Sequence, residues 1–468
     1  MSGSGASDSF TPLPPSLPFT LREAAERLER GETTSRALVE MCIERVETCG
    51  NARAAYDGAF NADRARRYAD AADHIRAKGY QASPLAGLPI SIKGLFDLAG
   101  DVTRAGSLIL ADRPPAGSDA KAIGHLRAAG FILLGHTQMT EFAYSGLGLN
   151  PHGPQPVNTL VDTQDAVPGG SSSGGAVSVA TGAALAAIGS DTGGSCRIPA
   201  AFNGLTGFKP TASRISREGM IPLSPSFDSV GAMARDVRDC ALLDHIMAGH
   251  NPMDRAPSLI ARDRKEGRIC LLLPTSILRD DADSQVLAVF EAALKHLEQG
   301  GIEIVRRPLP LLETAAGLNL QGQIVAAESY LTFHDDLLLH PERFDPRVRE
   351  RIEVGESIPV ATLRDLYIER QKLCAQFASE MSDFDAMICP TVPILPPAIS
   401  ACQDKVSYGR YNRLVLRNPS FANLFDGCAI TLPMQWEGLP AGLMLTASNG
   451  KDQTLLSVAE RIERRLKI

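Results

Sequence analysis

The chain has 468 residues and a formal net charge of -7, with 44% hydrophobic and 22% charged residues. Those fractions fit a globular protein with a large buried core. No Lys/Arg-rich run of five occurs, and no apolar stretch reaches the ~18 residues of a membrane helix, so neither nucleic-acid binding nor a membrane span is expected.

Residues 1–18 are rich in Ser, Gly and Pro and lack the basic and apolar segments of a secretory signal. They read as a flexible tail before a single domain over 19–468. Thr20 and Glu23 form a capping-box signature that opens a helix ending at Gly31. Ala37, Leu38, Met41, Cys42 and Val46, near helical spacing, predict a second helix over 34–47. An Ala- and Arg-rich stretch predicts a third over 62–78. Alternating Leu88, Ile90 and Ile92 then form a short strand that delivers Lys93.

Residues 119–137 read as helix, glycine turn and the apolar strand 131–134, which is half of a βαβ unit; 284–306 repeat that rhythm. Between 168 and 195 come a Gly/Ser loop, a small-residue helix from about Gly174 and a second Gly-rich turn. Residues 254–400 are more polar, with charged helices at 344–382, and read as a variable region able to shape a substrate pocket. Apolar segments around ICPTV, DGCAITLP and GLPAGLML suggest strands returning to the main sheet.

The nine cysteines (Cys42, Cys49, Cys196, Cys240, Cys270, Cys374, Cys389, Cys402 and Cys428) show no CxxC spacing. They predict reduced thiols in a cytoplasmic protein. The histidines form no HExxH or HxH, so no metal site is expected.

Three segments carry possible chemistry. Lys93 ends an apolar strand and precedes a glycine. On a surface it would be a solvated cation; held in an apolar site it would lose much of its proton affinity and become a neutral base. PGGSSSGGAVSVATG (168–182) places glycines and serines before a helix, suited to an anion or to close backbone approach. A phosphate loop of the GxxxxGK[ST] kind is disfavoured because no lysine follows Gly175. GSDTGGSCRIPA (189–200) folds its backbone tightly enough to gather N–H groups beside Ser195, the geometry of an oxyanion hole. Each segment alone also fits an ordinary loop.

Together these segments resemble the amidase-signature family. GxPxxxK is matched by Gly87, Pro89 and Lys93, and Ser171 is the first serine after Gly169-Gly170, 24 residues before Ser195. The resemblance runs from about Leu21 to Ile462. It implies an α/β fold with a large mixed β-sheet flanked by helices on both faces. It also implies a Ser–Ser–Lys triad of Ser195, Ser171 and Lys93, a cis peptide before Ser171, and an oxyanion hole from the N–H groups of Thr192, Gly193, Gly194 and Ser195.

Met139, Asn158 and the stretch from Gly146 and Leu147 to Leu149 fall where family members line the acyl pocket or back the oxyanion loop, with structural packing the alternative for Met139. Tyr144, Phe142 and Leu147 hint at an apolar or aromatic acyl group, which would add Tyr144 to the pocket. Asp191 and Arg197 would organise the nucleophile turn, and Cys196 would be a small packed hydrophobe. Phe227 in PSFDSVG stands where the family carries leucine. The implied activity is hydrolysis of an amide, carbamate or urea-like bond in a small molecule, with no cofactor; homodimers are common in the family. The alternative is the glutaminase subunit of a tRNA-dependent amidotransferase, which needs a partner protein. A Gly/Ser-loop kinase would leave Lys93 and the second turn unexplained, and a catalytically dead relative is disfavoured because no triad position is substituted.

Overall fold

A computed structural model of the chain describes residues 19–58, 60–161, 165–253, 268–319, 322–434 and 439–466; the tail expected over 1–18 lies outside them. The capping box is present in both directions: Thr20 Oγ1 accepts from Glu23 N at 3.1 Å, and Glu23 Oε2 accepts from Thr20 N at 2.8 Å. The helix it opens, Leu21–Glu29, is anchored at long range, since Leu21 N also donates to buried Asp239 Oδ2 at 2.6 Å. Helices Ser35–Thr48 and Ala62–Ala77 follow, each capped by the side chain before it, Thr34 or Asn61.

Ten strands form one sheet: β1 Pro89–Lys93, β2 Ile132–Thr137, β3 Ala186–Asp191, β4 Thr206–Lys209, β5 Ser229–Ala234, β6 Cys270–Pro274, β7 Glu303–Arg307, β8 Ala386–Pro390, β9 Cys428–Pro433 and β10 Gly442–Ala447. Their order is β2-β1-β3-β5-β4-β9-β10-β8-β6-β7. Pairing is parallel for β1 with β2 and β3, and for β6 with β7 and β8; the five remaining pairs are antiparallel. β1, β2, β3, β4, β5, β8 and β10 are buried at every position. A strand without an exposed side chain has both faces covered, as parallel and mixed sheets require.

The expected helix-and-strand units are present: helix Lys121–Ala128 connects parallel β1 and β2, and helix Ser284–Gln299 connects parallel β6 and β7. β2 extends beyond the apolar run because His136 and Thr137 still pair with Ile92 and Lys93. The polar region 254–400, expected as a variable region able to shape a pocket, is built into the common sheet. It contributes β6, β7 and β8 to the common sheet, along with helices Gln323–Leu339, Pro346–Glu353 and Val360–Glu380. Residues 254–267 of that region lie outside the described ones. All nine cysteines are free, six of them buried. Among the described residues, no helix is long and apolar enough to cross a membrane.

Candidate active site

The strand order places β1 directly beside β3, so the residues at their ends meet. Lys93 closes β1, while Ser190 and Asp191 close β3 and lead into the turn that carries Ser195. The Lys93 side chain is fully buried, and its Nζ donates to Ser171 Oγ at 2.7 Å and to Ser190 Oγ at 2.9 Å. Burial lowers its pKa to about 8, against smaller opposing effects of Cys196, Asp191 and Asp228. Among the described residues Lys93 makes no ion pair.

The Gly170–Ser171 peptide is cis. Ser171 is fully buried and its carbonyl accepts from Thr140 N at 3.1 Å. Next to it, Ser172 N donates to the carbonyl of Ser195 at 3.2 Å, which holds the two serine segments side by side. The Ser195 hydroxyl itself makes no hydrogen bond within the described residues, so the Ser171–Ser195 contact expected of the triad is not formed in this structure. The small-residue helix Ser173–Ala180 begins immediately beyond the loop.

The turn that carries Ser195 is folded around a buried carboxylate. Asp191 Oδ1 accepts from Gly194 N at 2.8 Å, and Oδ2 from Cys196 N at 3.0 Å. Arg197, also fully buried, donates Nε and Nη2 to the two oxygens at 3.1 and 2.8 Å. Burial would raise the Asp191 pKa, but Arg197 outweighs it and the net shift is downward. This organising role for Asp191 and Arg197 matches the sequence-based expectation.

Gly194 departs from it: its N–H is expected among the oxyanion donors but is engaged by Asp191. Within the described residues, the N–H groups of Thr192, Gly193 and Ser195 donate to nothing. Cys196 lies in a slot made by a cross-strand glycine pair. An added Cβ at Gly189 or Gly231 would come within 2.8 or 3.0 Å of its sulfur. Burial pushes the thiol up to about 12, which leaves it unreactive.

The helix Lys405–Leu424 roofs the turn. Asn412 Oδ1 accepts from Gly146 N at 2.9 Å; Pro419 O and Asn423 Oδ1 accept from Arg197 at 2.8 and 2.7 Å. Gly146 is thus held under this helix, and its carbonyl accepts from Gly170 N at 2.8 Å. Leu147 packs with Ile198, Phe202 and Val415.

The other pocket expectations divide. Met139 is buried beside Gly94, its carbonyl accepting from Asn150 Nδ2 at 2.7 Å, and Asn158 donates to Phe202 O at 2.7 Å. Phe142 turns inward against Phe333, with ring centroids 4.0 Å apart. Tyr144 lies under Arg351, whose guanidinium is 4.0 Å from the ring centroid. Sequence reasoning missed Ser190, Asp228, Asn423 and Arg351. Asp228 stands inside the quoted PSFDSVG segment, and accepts from Thr192 Oγ1 at 2.6 Å and from Leu223 N and Ser224 N at 3.0 Å. No group of three or more His, Cys, Asp or Glu among the described residues could hold a metal.

A ten-stranded mixed sheet flanked by helices is the fold of solved amidases. A solved structure described as "Crystal structure of amidase" superposes with a TM-score of 0.85 at 33% identity, covering 96% of this chain and 100% of that one. The family model Amidase matches residues 37–456, and the chain belongs to that family. It is 35% identical over 454 residues to the 2-amino-5-chloromuconic acid deaminase of Comamonas testosteroni, covering 95% of this chain and 96% of that protein. It is also 33% identical over 481 residues to a glutamyl-tRNA(Gln) amidotransferase subunit of Chromohalobacter salexigens, covering 95% and 96%. The chain is therefore a carbon–nitrogen hydrolase of the amidase family.

Proposed function

We propose that the chain hydrolyses an amide-type bond in a small, carboxylate-bearing molecule through a Ser195–Ser171–Lys93 relay. The observation that carries this reading is a lysine amine with no ion-pair partner among the described residues, buried among serine hydroxyls, with its pKa lowered to about 8. As a neutral amine, Lys93 accepts the proton of Ser171, and Ser171 takes that of Ser195. The contact between the two hydroxyls tightens when substrate enters, as catalytic hydrogen bonds commonly do. Ser195 Oγ forms a bond to the acyl carbon, the carbon–nitrogen bond breaks, and the relay returns a proton to the leaving nitrogen. Water then attacks the ester, releasing the acid and restoring Ser195. The unengaged N–H groups of Thr192, Gly193 and Ser195 supply the oxyanion donors, while Gly194 serves the turn.

The carboxylate preference is supported by Arg351. It is half-buried against Tyr144 and makes no ion pair among the described residues. The substrate named for the Comamonas relative is likewise an acid. Carbamates and urea-like compounds remain within reach of the same nucleophile.

The test is a panel of carboxylated and neutral amides, carbamates and glutamine, with wild type and Ser195→Ala. Wild type should release amine or ammonia fastest from a carboxylated amide, and Ser195→Ala should lose at least ~10³-fold in kcat. Normal turnover by Ser195→Ala would rule the mechanism out. The likeness to the amidotransferase protein favours a second reading, glutaminase action with a partner protein. Glutamine turnover that appears only on adding such a partner would establish it.

A further inference from the structure

Glu328 is a buried carboxylate surrounded by neutral donors. It lies on helix Gln323–Leu339 and is 9% exposed. Its Oε2 accepts from the Ser224 hydroxyl and from Ser226 N at 3.1 Å; its Oε1 accepts from the Ser226 hydroxyl and from Tyr367 Oη at 2.5 Å. Four donors fill the acceptor sites that an ionised carboxylate offers. Hydrogen bonds to a charged acceptor are about twice as strong as neutral ones, so this is a stiff joint.

The joint leads to the nucleophile turn. Ser224, one of the clamped residues, donates its N–H to Asp228 Oδ2 at 3.0 Å, and Asp228 Oδ1 receives the Thr192 hydroxyl at 2.6 Å. A second prop leaves the same region one helical turn beyond Tyr367. Arg370 donates to Asn423 O and Leu424 O, both at 3.0 Å, and lies 4.1 Å over the Phe227 ring. Asn423 in turn donates Nδ2 to the Asp191 carbonyl at 3.0 Å. Helices Gln323–Leu339 and Val360–Glu380 thus grip both supports of the turn, Asp228 and Asn423, at points outside the relay.

We propose that Glu328 is a positioning residue for the oxyanion turn, fixing Thr192 through Ser224 and Asp228. The proposal rests on the reading that this turn stabilises the oxyanion. Glu328→Gln keeps the side-chain shape but replaces one acceptor oxygen with an N–H donor facing hydroxyls and an amide N–H. A misdirected oxyanion donor costs transition-state binding and leaves ground-state binding nearly intact.

The experiment follows covalent labelling of Ser195 by a fluorophosphonate, alongside kcat, KM and Tm, in wild type, Ser195→Ala, Glu328→Gln and Glu328→Asp. Glu328→Gln should label and turn over ~10–100-fold more slowly, with KM within about twofold. Glu328→Asp should recover part of the rate, because it retains both acceptors. Tyr367→Phe, which removes a single donor, should show a smaller loss and carries the test if Glu328→Gln does not fold. A Glu328→Gln protein with lowered Tm and wild-type kcat per labelled site would overturn the proposal and leave only a structural role. Wild type that is not labelled at Ser195 would instead overturn the catalytic reading, and the proposal with it.

Discussion

In the proposed relay Lys93 combines a cost in stability with a gain in reactivity, and the two are separable by pH. Its folded pKa of about 8 lies below the 10.5 of a free lysine. Between those values the unfolded chain holds a proton that the folded chain has released. Stability therefore rises with pH across that window, and the full penalty, on the order of 3 kcal/mol, is present below pH 8. Lys93→Met should accordingly raise the Tm at pH 7 by several degrees while abolishing turnover, and the Tm gain should shrink as pH approaches 10.5. In wild type, kcat/KM should climb as pH passes about 8 and level off above it. A flat profile from pH 6 to 10 with chemistry limiting would exclude the lysine as base. The residues of the proposed relay could be singled out because short motifs at fixed spacing carry them. Ser190 and Asp228 could not: one is a small polar residue at the end of an apolar strand, and the other acts through contacts between segments distant in sequence.

Loop elements around the site owe their shape to close backbone approach. Gly148 has φ 79°, and a Cβ there would fall 2.4 Å from the carbonyl oxygen of Gly169, within the loop that carries Ser171. Gly148→Ala should lose on the order of 3 kcal/mol of stability and most activity, because the incoming methyl meets backbone that cannot yield. Gly117→Ala, where nothing lies within 4 Å, is the control and should change neither. Unfolding by urea together with a rate assay separates the two outcomes. Helices with side-chain caps and apolar strands could be read from residue types alone. The turn Glu141–Ala143 could not, since Phe142 and Ala143 adopt φ of 49° and 61°, a region that side-chain-bearing residues rarely enter. That backbone directs Phe142 into the core, where the sequence suggests a substrate contact.

At the scale of the molecule, chain order and strand order diverge. β1 to β5 form one block of the sheet and β6 to β8 another, and the blocks meet only through β9 and β10. The parallel units were foreseeable from alternating helix and strand patterns, whereas this closure was not, because pairing between remote strands leaves no local signature. A chain ending at Asp426 should leave β4 and β8 with exposed edges and accumulate as aggregate; supplying residues 427–468 in trans should return soluble protein. Soluble, monodisperse protein from the shortened chain would show that the blocks stand independently.

The consequence reaches into biosynthesis. On the ribosome, both halves of this enzyme must wait, open-sided and sticky, for a keystone encoded downstream of them both. Chaperone demand and sensitivity to premature stop codons should therefore be governed by that late segment more than by the motifs that perform the chemistry.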